Sequence, residues 1–209
     1  NSTPRATSFG EKNSAPSSLA RVECTPSAAT MAWGLVLLPA PGSAADCKVL
    51  PDRFLFEPTL PGLVERLTAG KPVTIVAIGA ASTEGRAGGG PDFAWPSQLG
   101  VALKRDFPAA AITVINLGKA RQTAAAMEAR FAKEVIPQKP NLVVWETGTV
   151  DAVRSVNIDA FWETLQAGIA MLRPKAEVVL MDMQFSRRTH AMIDFEPYKN
   201  AMIQMADVY

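Results

Sequence analysis

The sequence predicts an α/β protein, a three-layer α/β/α sandwich on a mostly parallel sheet. Three observations point there. Four short runs, Val73 to Ile78, Ala111 to Asn116, Asn141 to Trp145 and Glu177 to Met181, are rich in β-branched and apolar residues and lack polar alternation. Strands buried on both faces read this way. Segments with apolar residues at helical spacing separate the runs, and three of the strand exits are short and contain glycine. Such βα repeats close with right-handed crossovers into a sheet covered on both sides.

Taken in order, residues 1–46 form a lead without periodicity, rich in Ser, Thr, Ala, Pro and Asn as far as Thr30. From Met31, MAWGLVLLPAPGSAAD carries an apolar core of about ten residues before Ser43, Ala44 and Ala45, the layout of a secretory signal over 31–45. Arg21 supplies a basic charge ahead of it. The expectation is an exported protein, periplasmic or secreted, with no transmembrane segment, since that core is too short to span a bilayer. The domain itself is expected over 47–209.

Within it, LVERLTAG predicts a short helix closing on Gly70. The first strand follows at Val73. GRAGGGP (Gly85 to Pro91) reads as a loop, and Trp95 to Phe107 as a helix burying Leu99, Leu103 and Phe107. After the second strand, Ala124, Met127, Phe131 and Val135 define one continuous helix, ended by Pro137 and Pro140. ETGTVDAV reads as the exit loop of the third strand. Ile158, Phe161, Leu165, Ile169 and Leu172 form the stripe of the next helix, and a last helix follows the fourth strand with Tyr198, Met202 and Met205 on one face. The order is that of a flavodoxin-like, doubly wound fold, with a fifth strand expected after Tyr209.

Composition narrows the function classes. A formal net charge of +1 offers neither a nucleic-acid stripe nor a polybasic membrane patch. Two cysteines, Cys24 and Cys47, exclude a disulfide framework, and a single histidine, His190, excludes a histidine-rich metal site. No Walker loop and no G-x-G-x-x-G is present, which speaks against a nucleotide site. In open α/β sheets ligands bind at the carboxyl ends of the strands. That places the candidate site on three exits: GAASTEG (Gly79 to Gly85), NLGKARQT (Asn116 to Thr123) and ETGTVDA (Glu146 to Ala152).

These three blocks, in order and spacing, resemble those of the SGNH (GDSL) hydrolase superfamily, over Leu63 to Tyr209. Gly79 and Thr83 match its G-D-S-x-T block, Asn116, Gly118 and Thr123 its N-x-G-x-x-G-x-T block, and Gly148 and Asp151 its G-x-N-D block. The resemblance implies a flavodoxin-like fold and an esterase acting on acetyl or acyl esters of carbohydrates or lipids, through a seryl acyl-enzyme and without a cofactor. Three positions depart from the pattern. Ala81 stands at the nucleophile position, Arg121 replaces the second-block glycine, and Val150 replaces the third-block asparagine. His190 comes too early for the family's D-x-x-H, which in family order falls beyond Tyr209.

Ser82 is the nearest hydroxyl to the lost nucleophile, and its alternative role is to cap the following helix. Asp151 is expected to cap the segment after the third strand or to pair locally. Arg86, Lys119 and Arg121 are expected to form a basic rim around the pocket. Two function classes follow: a hydrolase with substituted catalytic groups, and a non-catalytic domain that holds an anionic or carbohydrate ligand with that rim.

Overall fold

β1 (Val73–Ile78) runs through the middle of a four-stranded parallel sheet of order β2-β1-β3-β4, in which β2 is Ile112–Asn116, β3 Leu142–Glu146 and β4 Glu177–Met181. A computed structural model describes residues 60–184 and 187–209. The expected lead, its export signal, Cys24 and Cys47 lie outside the described residues. Val76 of β1 sits opposite Ile115 of β2 and Val143 of β3, so the strands carry their apolar residues in register.

Successive side chains on a strand face opposite sides. On one side Val73, Ile75, Leu142 and Val144 pack against Leu63 and Leu67 of α1 (Pro61–Thr68). Trp95, Leu99 and Leu103 of α3 (Trp95–Asp106) complete that layer. On the other side Val76, Ile78, Val143 and Trp145 meet α4 (Ala124–Glu128), α6 (Ile158–Leu172) and α7 (Glu196–Val208) through Met127, Leu165 and Met205. Burial of each such side chain is worth about 1.5–3 kcal/mol. The result is the three-layer α/β/α sandwich that the sequence predicts.

Caps fix where the elements begin and end. Gly70, at φ +65°, closes α1, as expected, and the carboxylate of Glu177 on β4 accepts from the amides of Gly62 and Leu63 at 2.9 and 2.8 Å. A carboxylate there satisfies orphan amides at a helix start. Asn157 caps α6 by accepting from the amides of Asp159 and Ala160. Gly168 lets α6 approach the sheet: a Cβ there would lie 2.6 Å from the Trp145 ring.

The structure differs from the sequence reading in three places. The single helix expected after β2 is broken. α4 stops at Glu128, and a π-helical turn, Phe131–Val135, leads into a 3-10 turn, Ile136–Gln138. The wider turn re-phases the chain so that Phe131 and Val135 stay buried while Arg130 reaches back to the carbonyl of Leu117 at 2.8 Å. The first and third strand exits also hold helical turns, α2 (Ala81–Glu84) and α5 (Thr149–Val153), where loops were expected. Among the described residues, no helix is long and apolar enough to cross a membrane.

Candidate active-site cleft

Three exits converge at the carboxyl end of the sheet because β1 has β2 on one side and β3 on the other. The second exit continues the pairing past the strands, with the amides of Leu117 and Lys119 donating to the carbonyls of Ala77 and Gly79 at 2.8 and 2.9 Å. Asn116 then ties the first two exits. Its side-chain amide donates to the Thr83 carbonyl at 2.7 Å, and its Oδ1 accepts from Gly118 N at 2.9 Å. Gly118 lies against the chain at that point: a Cβ would be 2.4 Å from the Glu84 nitrogen. The matched positions Asn116 and Gly118 therefore build the frame and do not line the cleft.

The third exit joins the same frame. Gly148 has φ +92° and leads into α5, and the carboxylate of Asp151 accepts from Ala124 N at 3.0 and 3.1 Å. Asp151 was expected to act within its own segment. It also caps α4, on the second exit, beside the N-cap Thr123, whose hydroxyl accepts from Ala126 N at 3.3 Å. Topology brings these two exits together, which spacing along the chain does not reveal. Burial raises the Asp151 carboxyl pKa, opposed by backbone hydrogen bonds from Ala124 and from its own turn.

At the centre stands a group that the motif comparison passed over. Glu146, the last residue of β3, is 4% exposed, and its carboxylate accepts hydrogen bonds from the hydroxyls of Ser82 and Thr83. The Trp95 indole N–H donates to the same carboxylate at 3.3 Å. Gly79 makes room for this: a Cβ there would lie 2.0 Å from Thr83 Oγ1. Ser82 thus lies inside α2 with its hydroxyl turned to Glu146, instead of capping the helix. An acidic residue ending a fully buried strand was the available signal, since such charges are rarely buried without a role.

Above Glu146 opens a cleft of about 880 Å³. Ala81 and Ser82 line it together with the aromatic Phe93 and Trp95 and the apolar Val150, Met181 and Met183. Asp182 and Gln184 stand at the rim. The ionisable side chains of the lining are Glu146 and Asp182, and among the described residues no lysine or arginine lines the cleft. Among the described residues, the cations of the expected basic rim are not part of the lining. Arg86 pairs with Glu84 at 2.9 Å and Lys119 with Glu134 at 3.3 Å, while Arg121 is exposed away from the lining.

Arg121 has φ +66°, a backbone that favours glycine. The second exit therefore keeps the glycine-type path of the motif despite the substitution. Arg130 braces it, donating to Leu117 O and to the side chains of Gln122 and Glu134. His190 is exposed and off the cleft, its ring 5.0 Å from that of Phe195.

The sequence profile of the non-GDSL lipase-like family matches residues 46–208. The chain belongs to the non-GDSL lipase-like family. The SGNH (GDSL) resemblance of the three blocks holds at the level of superfamily and fold. A two-domain esterase active on acetylated mannans superposes with a TM-score of 0.61 at 21% identity, over 70% of this chain and 38% of the esterase. An acetylxylan esterase from Geobacillus stearothermophilus gives 0.53 at 23%, over 65% and 72%. TesA gives 0.56 at 22%, over 64% and 73%. At these identities the likeness is one of fold. No curated protein matches the chain.

Proposed function

We propose that this member of the non-GDSL lipase-like family is an esterase-type domain that holds an acetyl or acyl ester of a carbohydrate or lipid in the cleft, without ordinary serine-esterase turnover. Family membership and the esterase folds it resembles support the ester. The observation that carries the second half is at position 81. The residue in the nucleophile's place has a methyl group on the cleft, and the adjacent hydroxyls of Ser82 and Thr83 donate to Glu146. A serine attacks only when a base takes its proton, and a carboxylate-oriented histidine is the usual base. Among the described residues, none on the lining is a histidine.

A basic rim has no support in this arrangement, and an anionic ligand would meet two carboxylates. The described lining therefore favours an uncharged ligand. The test is calorimetric titration with triacetin, alongside a serine-directed fluorophosphonate probe and an activated acetyl ester. Binding of triacetin without labelling or turnover is the expected result. Rapid hydrolysis would overturn the non-catalytic half, and absence of any ester binding would overturn the whole.

A second reading rests on one contact. Ser82 donates to a carboxylate that Thr83 and Trp95 hold in place, which is the arrangement of a nucleophile with an oriented base. In that reading Glu146 takes the Ser82 proton, Oγ adds to the ester carbonyl, and the departing alcohol takes the proton back. Water then releases the acid. Fluorophosphonate labelling that disappears in Ser82→Ala would favour it over the first reading.

The apolar segment from Met31 to the small residues Ser43 to Ala45 supports export as part of the same proposal. Mass determination of the mature N-terminus checks it, and an intact Met31–Ala45 segment would reject it.

A further inference from the structure

Resting on the reading that the cleft holds an ester, we propose that the ester is that of a neutral carbohydrate and that its sugar ring stacks on Phe93. Phe93 is 71% exposed, although it belongs to the cleft wall. A lone exposed aromatic needs no explanation. This one lines a cleft. It ends the 3-10 turn Pro91–Phe93, and its ring lies against Gly89, where a Cβ at φ +100° would be 3.3 Å from Cδ2. Trp95 lines the same cleft and donates to Glu146. Two aromatic side chains thus line the cleft, with Phe93 presented to solvent.

The polar groups of the lining select the ligand class. At the rim Asp182 is an acceptor in its ionised form and Gln184 both donates and accepts, while the Glu146 carboxylate below is held by Ser82, Thr83 and Trp95. A rim that offers acceptors suits a ligand rich in donors, and sugar hydroxyls are such donors. A fatty chain would desolvate the Asp182 carboxylate at the rim without returning a hydrogen bond. An anionic ligand would meet the like charge of Asp182 at the rim. A pyranose has an apolar C–H face for the aromatic residues and hydroxyls at its edge for Asp182 and Gln184, so it satisfies both halves of the lining. The apolar wall of Val150, Met181 and Met183 is left for the acyl group.

The experiment is calorimetric titration of the full chain with a partially acetylated β-1,4-linked neutral oligosaccharide, with triacetin, and with a short-chain monoacylglycerol below its micelle concentration. The oligosaccharide is expected to bind most tightly. Phe93→Ala should weaken it about tenfold, the upper range for loss of one aromatic contact, and Phe93→Trp should stay within about twofold of the native protein. Native affinity in Phe93→Ala overturns the stacking proposal. Triacetin or monoacylglycerol binding without oligosaccharide binding overturns the carbohydrate assignment and leaves the ester reading standing. Failure of all three ligands removes both.

Discussion

The Ser82 hydroxyl donates to Oε1 of Glu146, 64 positions further along the chain, and the neighbouring Thr83 hydroxyl donates to Oε2. One carboxylate therefore fastens the first exit to the third. Hydrogen bonds to a charged acceptor contribute about 1.5–3 kcal/mol, and stranding buried donors costs their desolvation. Glu146→Ala is expected to destabilise the fold by about 2–4 kcal/mol in urea titration, and Glu146→Gln, which turns an amide on one of its donors, by about 1–2 kcal/mol. Adding Ser82→Ala and Thr83→Val to Glu146→Ala should recover part of the loss, because the donors are then gone as well. A cost below about 0.5 kcal/mol for Glu146→Ala would show that the contact does not hold the exits.

Gly118 is required for space. A Cβ there would lie 2.4 Å from Glu84 N and 2.6 Å from the Thr83 carbonyl carbon, both backbone atoms that cannot step aside. Gly118→Ala should therefore separate the first two exits and cost about 3 kcal/mol, within the range for forced overpacking. Chemical denaturation followed by circular dichroism measures this, and a shift under 1 kcal/mol would mean that the loop relaxes freely.

Arg121 shows the opposite case, a side chain on a glycine-type backbone. At φ +66° a non-glycine residue bears strain of about 1 kcal/mol, against which glycine loses some chain entropy. Arg121→Gly is expected to be neutral or to stabilise by about 0.5 kcal/mol. A marked loss of stability would show that the arginine side chain makes contacts that outweigh its backbone strain.

Acid should act through Glu134, whose hydrogen bonds from the Arg130 guanidinium and from Lys119 lower its carboxyl from 4.5 to about 2. A depressed folded value stabilises the protein above the unfolded value, so this contribution is lost as pH falls from about 5 through about 2. The group is a third exposed, and screening brings the effect to about 1 kcal/mol. Glu134→Gln should flatten that acid slope in urea midpoints measured from pH 7 to pH 3. Asp151 has the reverse sign: burial raises its value, so its contribution is full at low pH and declines as pH rises through the folded value. Asp151→Asn should consequently destabilise less at pH 7 than at pH 3. Equal effects at both would contradict the raised value.

What the sequence determined by itself was the layered fold and the end of the sheet that carries the cleft. Uninterrupted apolar runs such as VTIVAI specify strands covered on both faces, and helical spacing such as that of Phe161, Leu165 and Ile169 specifies the covering layers, because burial is written in local periodicity. The missing hydroxyl at Ala81 was equally legible, since it is a property of one residue. Contacts between exits were not legible. That Asp151 caps α4, that Glu146 gathers Ser82, Thr83 and Trp95, and that Arg86 and Lys119 pair with Glu84 and Glu134 depend on strand order and on side-chain reach. Only the tertiary structure decided those, because hydrogen bonds and ion pairs act over a few ångströms between residues that the chain keeps far apart.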